Sequence, residues 1–134
     1  MKIKKKLSFF GIFLVLIVSL LACGQAKTKE EILYEKAEHV IKLLADKDYQ
    51  SIEKMISPTL ATEVNADTLE KTFAPYVDPL GKFQAIVDKT YSQGNDPIYG
   101  DLDTALVTCQ FENGEPQFSI SFDKEGLLCG LYIK

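Results

Sequence analysis

At Gly81 the spacing of apolar residues changes from three and four to two, and no other feature of the chain limits its fold as strongly. Before that point, Leu33, Ala37, Val40, Ile41 and Leu44 form one buried stripe between Glu30 and about Lys47. Glu30, Glu31, Glu35, Glu38 and Lys42 line the other side, so the segment reads as an amphipathic helix. Thr28-Lys29-Glu30-Glu31 has the form of a capping box, because the threonine hydroxyl can accept from the third amide beyond it while Glu31 reaches back. Asp46-Lys47-Asp48 ends this helix, and Asp48 can cap a second, short one with Tyr49, Ile52, Met55 and Ile56 on its apolar edge. Ser57-Pro58 is expected to stop that helix. Asn65 to Asp67 open a third, with Leu69, Phe73, Tyr76 and Val77 facing inward and Pro75 and Pro79 turning the chain out soon after.

After Gly81 the pattern is that of strands. Phe83, Ala85 and Val87 fall on one face, with Lys82, Gln84 and Asp88 on the other. Glu112-Asn113-Gly114-Glu115 predicts a hairpin, because an Asn-Gly pair favours the positive φ angles of a two-residue type I′ turn. With Glu112 opposite Glu115, the expected partners are Cys109 with Phe118, Val107 with Ile120 and Ala105 with Phe122. Nearly every apolar side chain of both strands then lands on one face. A second tight turn, Asp123 to Gly126, leads into a last strand from Leu127 to Ile133 that is apolar on both faces, either covered from two sides or left as a patch for association.

Helices followed by strands describe an α+β domain, with N-terminal helices packed on a curved antiparallel sheet of about four strands, a small cone. This order resembles the nuclear-transport-factor-2-like, or cystatin-like, folds. Leu43-Leu44-Ala45-Asp46-Lys47-Asp48-Tyr49, Gly81-Lys82-Phe83, and Phe122-Asp123-Lys124-Glu125-Gly126 followed by Gly130-Leu131 carry a closer resemblance. On these motifs the domain is similar to the domain of unknown function family numbered 3887, common in Gram-positive surface lipoproteins. The motifs mark turns and packing positions, so the resemblance implies fold and location and transfers no active-site residue. Some relatives carry the module beside a separate hydrolase domain, which is not expected in 134 residues.

The N-terminus reads as an address. Lys2, Lys4, Lys5 and Lys6 precede an apolar run from Leu7 to Leu21, and small Ala22 stands before Cys23. A helix over the sixteen residues from Leu7 to Ala22 spans roughly 24 Å at ~1.5 Å per residue, short of the ~30 Å hydrocarbon core, so a cleaved signal fits better than a permanent span. Leu20-Leu21-Ala22-Cys23 resembles the lipobox of bacterial lipoproteins, in which the cysteine is diacylated and the chain is then cut before it. The alternative is an uncleaved anchor with an incidental cysteine. The expected organisation is a signal peptide over 1–22, a lipidated tether over 23–29 and an α+β domain over 30–134. The location it implies is the extracytoplasmic face of the cell membrane, held by the lipid on Cys23.

Charge narrows the partners. After Cys23 there are eleven lysines, no arginine and all nineteen acids, a net charge of −8, which excludes the basic footprint of a nucleic-acid binder. Cys109 and Cys129 form an even pair in an oxidising compartment. The strand between them should hold their Cα atoms ~10 Å apart, beyond the ~7 Å limit for a bridge, so two buried free thiols are expected. His39, the only histidine, sits at the edge of the first helix's stripe and reads as a surface residue, which removes typical zinc sites. Asp96, Asp101 and Asp103 lie around Pro97 and Gly100 in what reads as a connecting loop of solvated turn residues, without EF-hand spacing. Tyr49, Tyr76, Tyr91, Tyr99 and Tyr132 could line a pocket mouth or equally be core edges. Asp88 could enter the cone if its strand shifted by one.

No cofactor, metal or catalytic residue is expected from this pattern. The leading expectation is a non-catalytic, membrane-anchored domain that binds an unknown envelope protein or a small apolar ligand, with Phe73, Tyr76, Phe83, Phe118 and Ile120 lining the pocket. The alternatives are a small enzyme of the ketosteroid-isomerase or polyketide-cyclase type, with a pocket Asp and a tyrosine donor, and a domain that self-associates through its last strand.

Overall fold

The computed structural model describes residues 26–134, so Leu20, Leu21, Ala22 and Cys23 lie outside the described residues. Helix α1 (Lys29–Ala45) starts where the sequence places it. Thr28 Oγ1 accepts from the Glu31 amide at 3.2 Å, and the Glu31 carboxylate accepts from the Thr28 amide at 3.3 Å. The helix stops in a Schellman closure, with the Lys47 amide on Leu44 O and the Asp48 amide on Leu43 O, and Lys47 takes the left-handed φ of 60° that this closure demands. Asp48 caps α2 (Tyr49–Glu53) by accepting from both the amide and the hydroxyl of Ser51. Helix α4 (Ala66–Val77) begins at a reciprocal Asn65/Thr68 cap.

Ser57-Pro58 does not merely stop a helix. Ser57 caps a further turn, α3 (Pro58–Ala61), whose first position Pro58 fills at no cost because the missing N–H would have had no partner there. On α4, Leu69, Phe73 and Val77 are buried as expected, but Tyr76 is 64% exposed and points away from the core. A 3₁₀ turn (Asp78–Leu80) and Gly81, at φ 74°, lead into the sheet.

The sheet is an open antiparallel meander in the order β1 (Phe83–Asp96), β2 (Gly100–Phe111), β3 (Gln117–Phe122), β4 (Leu128–Ile133). Ala105, Val107, Cys109 and Phe111 of β2, Phe118, Ile120 and Phe122 of β3, and Leu128 of β4 are buried with the stripe of α1 in one core. The fold is therefore α+β, helices on one face of a curved four-stranded sheet.

Four expectations about the strands need correction. The hairpin register is shifted by two residues, because Val107 pairs with Phe118, Ala105 with Ile120 and Asp103 with Phe122. A slip of two preserves the faces, which is why the core set is nonetheless right. The turn itself is closed by Phe111 and Gly114, which makes Glu112 and Asn113 its central residues, and neither these nor Gly114 has a positive φ, so it is not type I′. Its tip is held from outside: the Glu112 amide donates to Lys82 O, the Asn113 amide to Leu80 O and the Asn113 side chain to Pro79 O. Those bonds override the local preference of Asn-Gly.

In β1, irregularities between Phe83 and Ala85 and between Ile86 and Asp88 break the alternation. Ile86 packs on the core while Val87 is 55% exposed. Asp88 pairs with Thr108, away from the core face, so it does not enter the concave side. Lys89 pairs with buried Val107, and its ammonium lies 4.9 Å from the Tyr34 ring centroid on α1. Finally, β1 and β2 extend far past β3. Asp101 and Asp103 are strand residues, and Asp96 closes the hairpin tip by accepting from the amides of Ile98 and Tyr99.

Candidate functional site

The five residues expected to line one pocket do not meet. Phe118 and Ile120 are fully buried against the helices, Phe73 is buried on α4, Phe83 packs edge-on against Phe111, and Tyr76 faces solvent. The concave face of the sheet is filled by Val40, Ile41, Leu44 and Ile52. The five tyrosines mostly disperse: Tyr49 lies in the core, Tyr76 is exposed and Tyr91 is half-buried on β1, while half-buried Tyr99 and exposed Tyr132 come to the same groove.

What the fold builds instead is an apolar groove beside β4, of about 260 Å³. Leu60, Val64, Leu69 and Phe73 form its helical wall, and Leu131 and Tyr132 its sheet wall. Tyr99, one of the tyrosines that the sequence offers for a pocket mouth, reaches it from the tip of the β1–β2 hairpin. Burial, reinforced by the nearby Cys129 sulfur and the Glu63 and Asp96 carboxylates, pushes the Tyr99 hydroxyl above its ordinary pKa. A wider depression of about 710 Å³ runs between α1 and β1, but Glu38, Lys42, Gln84, Asp88 and Lys89 make it polar and open.

One polar constellation was not anticipated. The Tyr91 hydroxyl donates to Asp103 Oδ1 at 2.8 Å, Lys29 Nζ lies 3.3 Å from the same oxygen, and Gln93 Nε2 donates to it at 3.5 Å. Burial pushes the Asp103 carboxyl up, but the hydrogen bonds from Tyr91 and Lys29, the lysine charge and Gln93 together outweigh it and hold the acid below the usual carboxylate range. The cluster ties the first turn of α1 to the long hairpin. It keeps its carboxylate ionised, the opposite of a general base tuned toward neutrality.

Cys109, on the core face of β2, and Cys129, in a bulge of β4, are free and buried, with β3 between them as expected. Burial, with Glu38 near Cys109 and with Asp123 and Asp96 near Cys129, pushes both thiols up to about 11, so neither supplies a thiolate at neutral pH. His39 is exposed on α1. Among the described residues no group of three or more His, Cys, Asp or Glu side chains is arranged to hold a metal, and no helix is long and apolar enough to cross a membrane.

No curated protein and no solved structure matches the chain significantly. The family described as protein of unknown function (DUF3887) matches residues 37–131, from the middle of α1 into β4, and so takes in most of the core and of the groove and all three hairpins. The chain belongs to this family.

Proposed function

We propose that the protein is a lipid-anchored lipoprotein on the extracytoplasmic face of the cell membrane, whose domain binds a partner or a small apolar ligand and performs no chemistry of its own. The basic start, the apolar run and Leu20-Leu21-Ala22-Cys23 support the anchor, with diacylglycerol on Cys23 and residues 24–29 as tether. The observation that carries the binding reading is the groove beside β4, an apolar surface left open where the concave face is packed solid. The order of elements also suits a nuclear-transport-factor-2-like ancestry, with the cone closed by its own helices.

An isomerase-type enzyme is the second reading, since Tyr91 and Asp103 form a tyrosine–carboxylate pair. Its depressed acid and its lysine partner weigh against a proton-transfer role.

Two measurements test the proposal. Cells fed radiolabelled palmitate should yield labelled protein in the membrane fraction, and Cys23→Ala should lose both the label and the membrane attachment; an unlabelled wild-type protein sinks the anchor. The full-length protein in neutral detergent should bind an apolar solvatochromic dye saturably, and Val64→Lys, at the groove wall, should weaken that binding about tenfold. Dye binding untouched by Val64→Lys removes the groove from the account, and turnover of a ketosteroid substrate lost in Asp103→Asn would replace binding with catalysis.

A further inference from the structure

β4 is a terminal strand of the sheet, and from Leu127 to Ile133 it carries neither charge nor proline. Edge strands are normally protected against pairing by such residues or by bulges. The opposite edge, β1, has that protection in Asp88, Lys89 and its two irregularities. The one bulge of β4, at Cys129, adjoins Leu128, which Ile56 already covers, so the uncharged stretch beyond it, Leu131 to Ile133, is the edge able to accept a strand.

The backbone of β4 is disposed accordingly. Gln117 and Lys134 exchange both of their hydrogen bonds, at 3.2 and 2.9 Å, so by antiparallel alternation Tyr132 and Gly130 also bond toward β3. Leu131 and Ile133 turn their amides and carbonyls outward, where no group among the described residues takes them. The chain itself already uses this edge at Leu128. Ile56 forms a parallel bridge there, with the Leu128 amide on Met55 O and the Ser57 amide on Leu128 O. Pro58 then leaves to begin α3, and the rest of the edge stays open beside the groove.

We propose that this open edge takes an extended apolar segment of a partner protein, flanked by lysine or arginine, as a fifth strand, with one apolar side chain filling the groove against α3 and α4. The proposal rests on the reading of the domain as a binding module. At about 260 Å³ the groove is smaller than the ~300–1,000 Å³ of sites for free small ligands, and it suits a single side chain delivered by a backbone. Glu63 adjoins Val64 of the groove wall, Asp96 accepts from the Tyr99 amide at 3.1 Å, Lys71 is tied to Asp67 at 3.1 Å, and residues 26–134 carry eleven lysines against nineteen acids. A basic segment complements that field, whereas a second copy would bring another charge of −8 to the same edge.

The test uses the full-length protein in neutral detergent and three fluorescent peptides of alternating leucine and threonine. One is flanked by lysines, one by glutamates, and the third is the lysine form N-methylated at alternate amides. The lysine peptide should bind about tenfold tighter than either of the others. Glu63→Lys, on the exposed surface, should weaken it several-fold, and Leu131→Pro, which deletes an outward amide, should abolish it while the circular dichroism spectrum is unchanged. Should Leu131→Pro unfold, the Glu63→Lys and N-methyl comparisons still decide. Equal binding of the N-methylated or glutamate peptide, binding unaffected by Glu63→Lys, or a dimer that protects the β4 amides from hydrogen exchange would overturn the proposal. If all three peptides fail while the apolar dye still binds at the groove, the strand partner is wrong and the binding reading stands; if dye and peptides both fail, both are wrong.

Discussion

Tyr49 buries its hydroxyl without a hydrogen-bond partner among the described residues, and burial, with Asp78 and Glu70 nearby, pushes its pKa up. An unsatisfied buried donor is costly, so Tyr49→Phe should stabilise the protein by ~1 kcal/mol, read as a higher urea midpoint at pH 7. A drop would mean that the hydroxyl has a partner after all. The two thiols give a pH dependence of definite sign. Their ordinary value is 9.0 and the fold raises both to about 11, so the folded state stays protonated where the unfolded chain has begun to ionise. The stability they preserve is complete below pH 9 and is lost as pH rises to 11, at most ~2.7 kcal/mol per thiol at ~1.36 kcal/mol per pKa unit. Urea midpoints from pH 8 to 11, taken in the Tyr49→Phe background to remove that phenol, should fall less steeply in Cys109→Ala than in its parent. The variant starts lower because of its cavity. Parallel slopes would remove Cys109 from the account.

Two hairpins separate what local sequence dictates from what the rest of the fold imposes. Asp123-Lys124-Glu125-Gly126 turns as its residues suggest, with Gly126 at φ 81° and Asp123 Oδ1 accepting from the amides of Glu125 and Leu127. Glu112-Asn113-Gly114-Glu115 does not, because its tip is bonded to Pro79, Leu80 and Lys82, some thirty residues away in sequence. Gly126→Ala should cost ~1–2 kcal/mol for the left-handed backbone, and its Cβ would also stand 2.5 Å from Lys36 Nζ. Gly114→Ala should cost ~0.5–1 kcal/mol, since its Cβ meets only the rotatable Leu80 Cδ2, at 2.9 Å. A type I′ turn, with Gly114 left-handed as well, would bring the two costs together, and thermal midpoints of the two variants decide it. Helix starts were legible because Thr28, Asp48 and Asn65 each cap within three residues. Strand faces were legible because a period of two survives a slip of two, whereas the register of β2 on β3 and the bulges of β1 depend on distant partners.

The whole molecule hides its candidate site from the sequence for a related reason. Leu60 and Val64 precede α4, Tyr99 sits at a hairpin tip and Leu131 lies near the C-terminus, and no spacing rule connects them before the chain folds. The pocket expected inside the cone failed because the stripe on α1, itself read correctly, is bulky enough to fill the concave face. Net charge, by contrast, is legible without any structure, and it acts on the molecule as a unit. Nineteen acids face eleven lysines after Cys23, and five lysine–carboxylate pairs are formed among the described residues. The remaining carboxylates repel one another more in the folded domain than in the expanded chain. Salt shortens the Debye length from about 30 Å at 0.01 M to about 8 Å at 0.15 M, which screens the long-range repulsion first and leaves the close pairs less affected. The urea midpoint at pH 7 should therefore rise over this range, by a stability on the order of 1 kcal/mol, the worth of one or two surface pairs. A midpoint that falls with salt would mean that attraction within the pairs outweighs the excess negative charge, and the electrostatic argument for a basic partner strand would lose its footing.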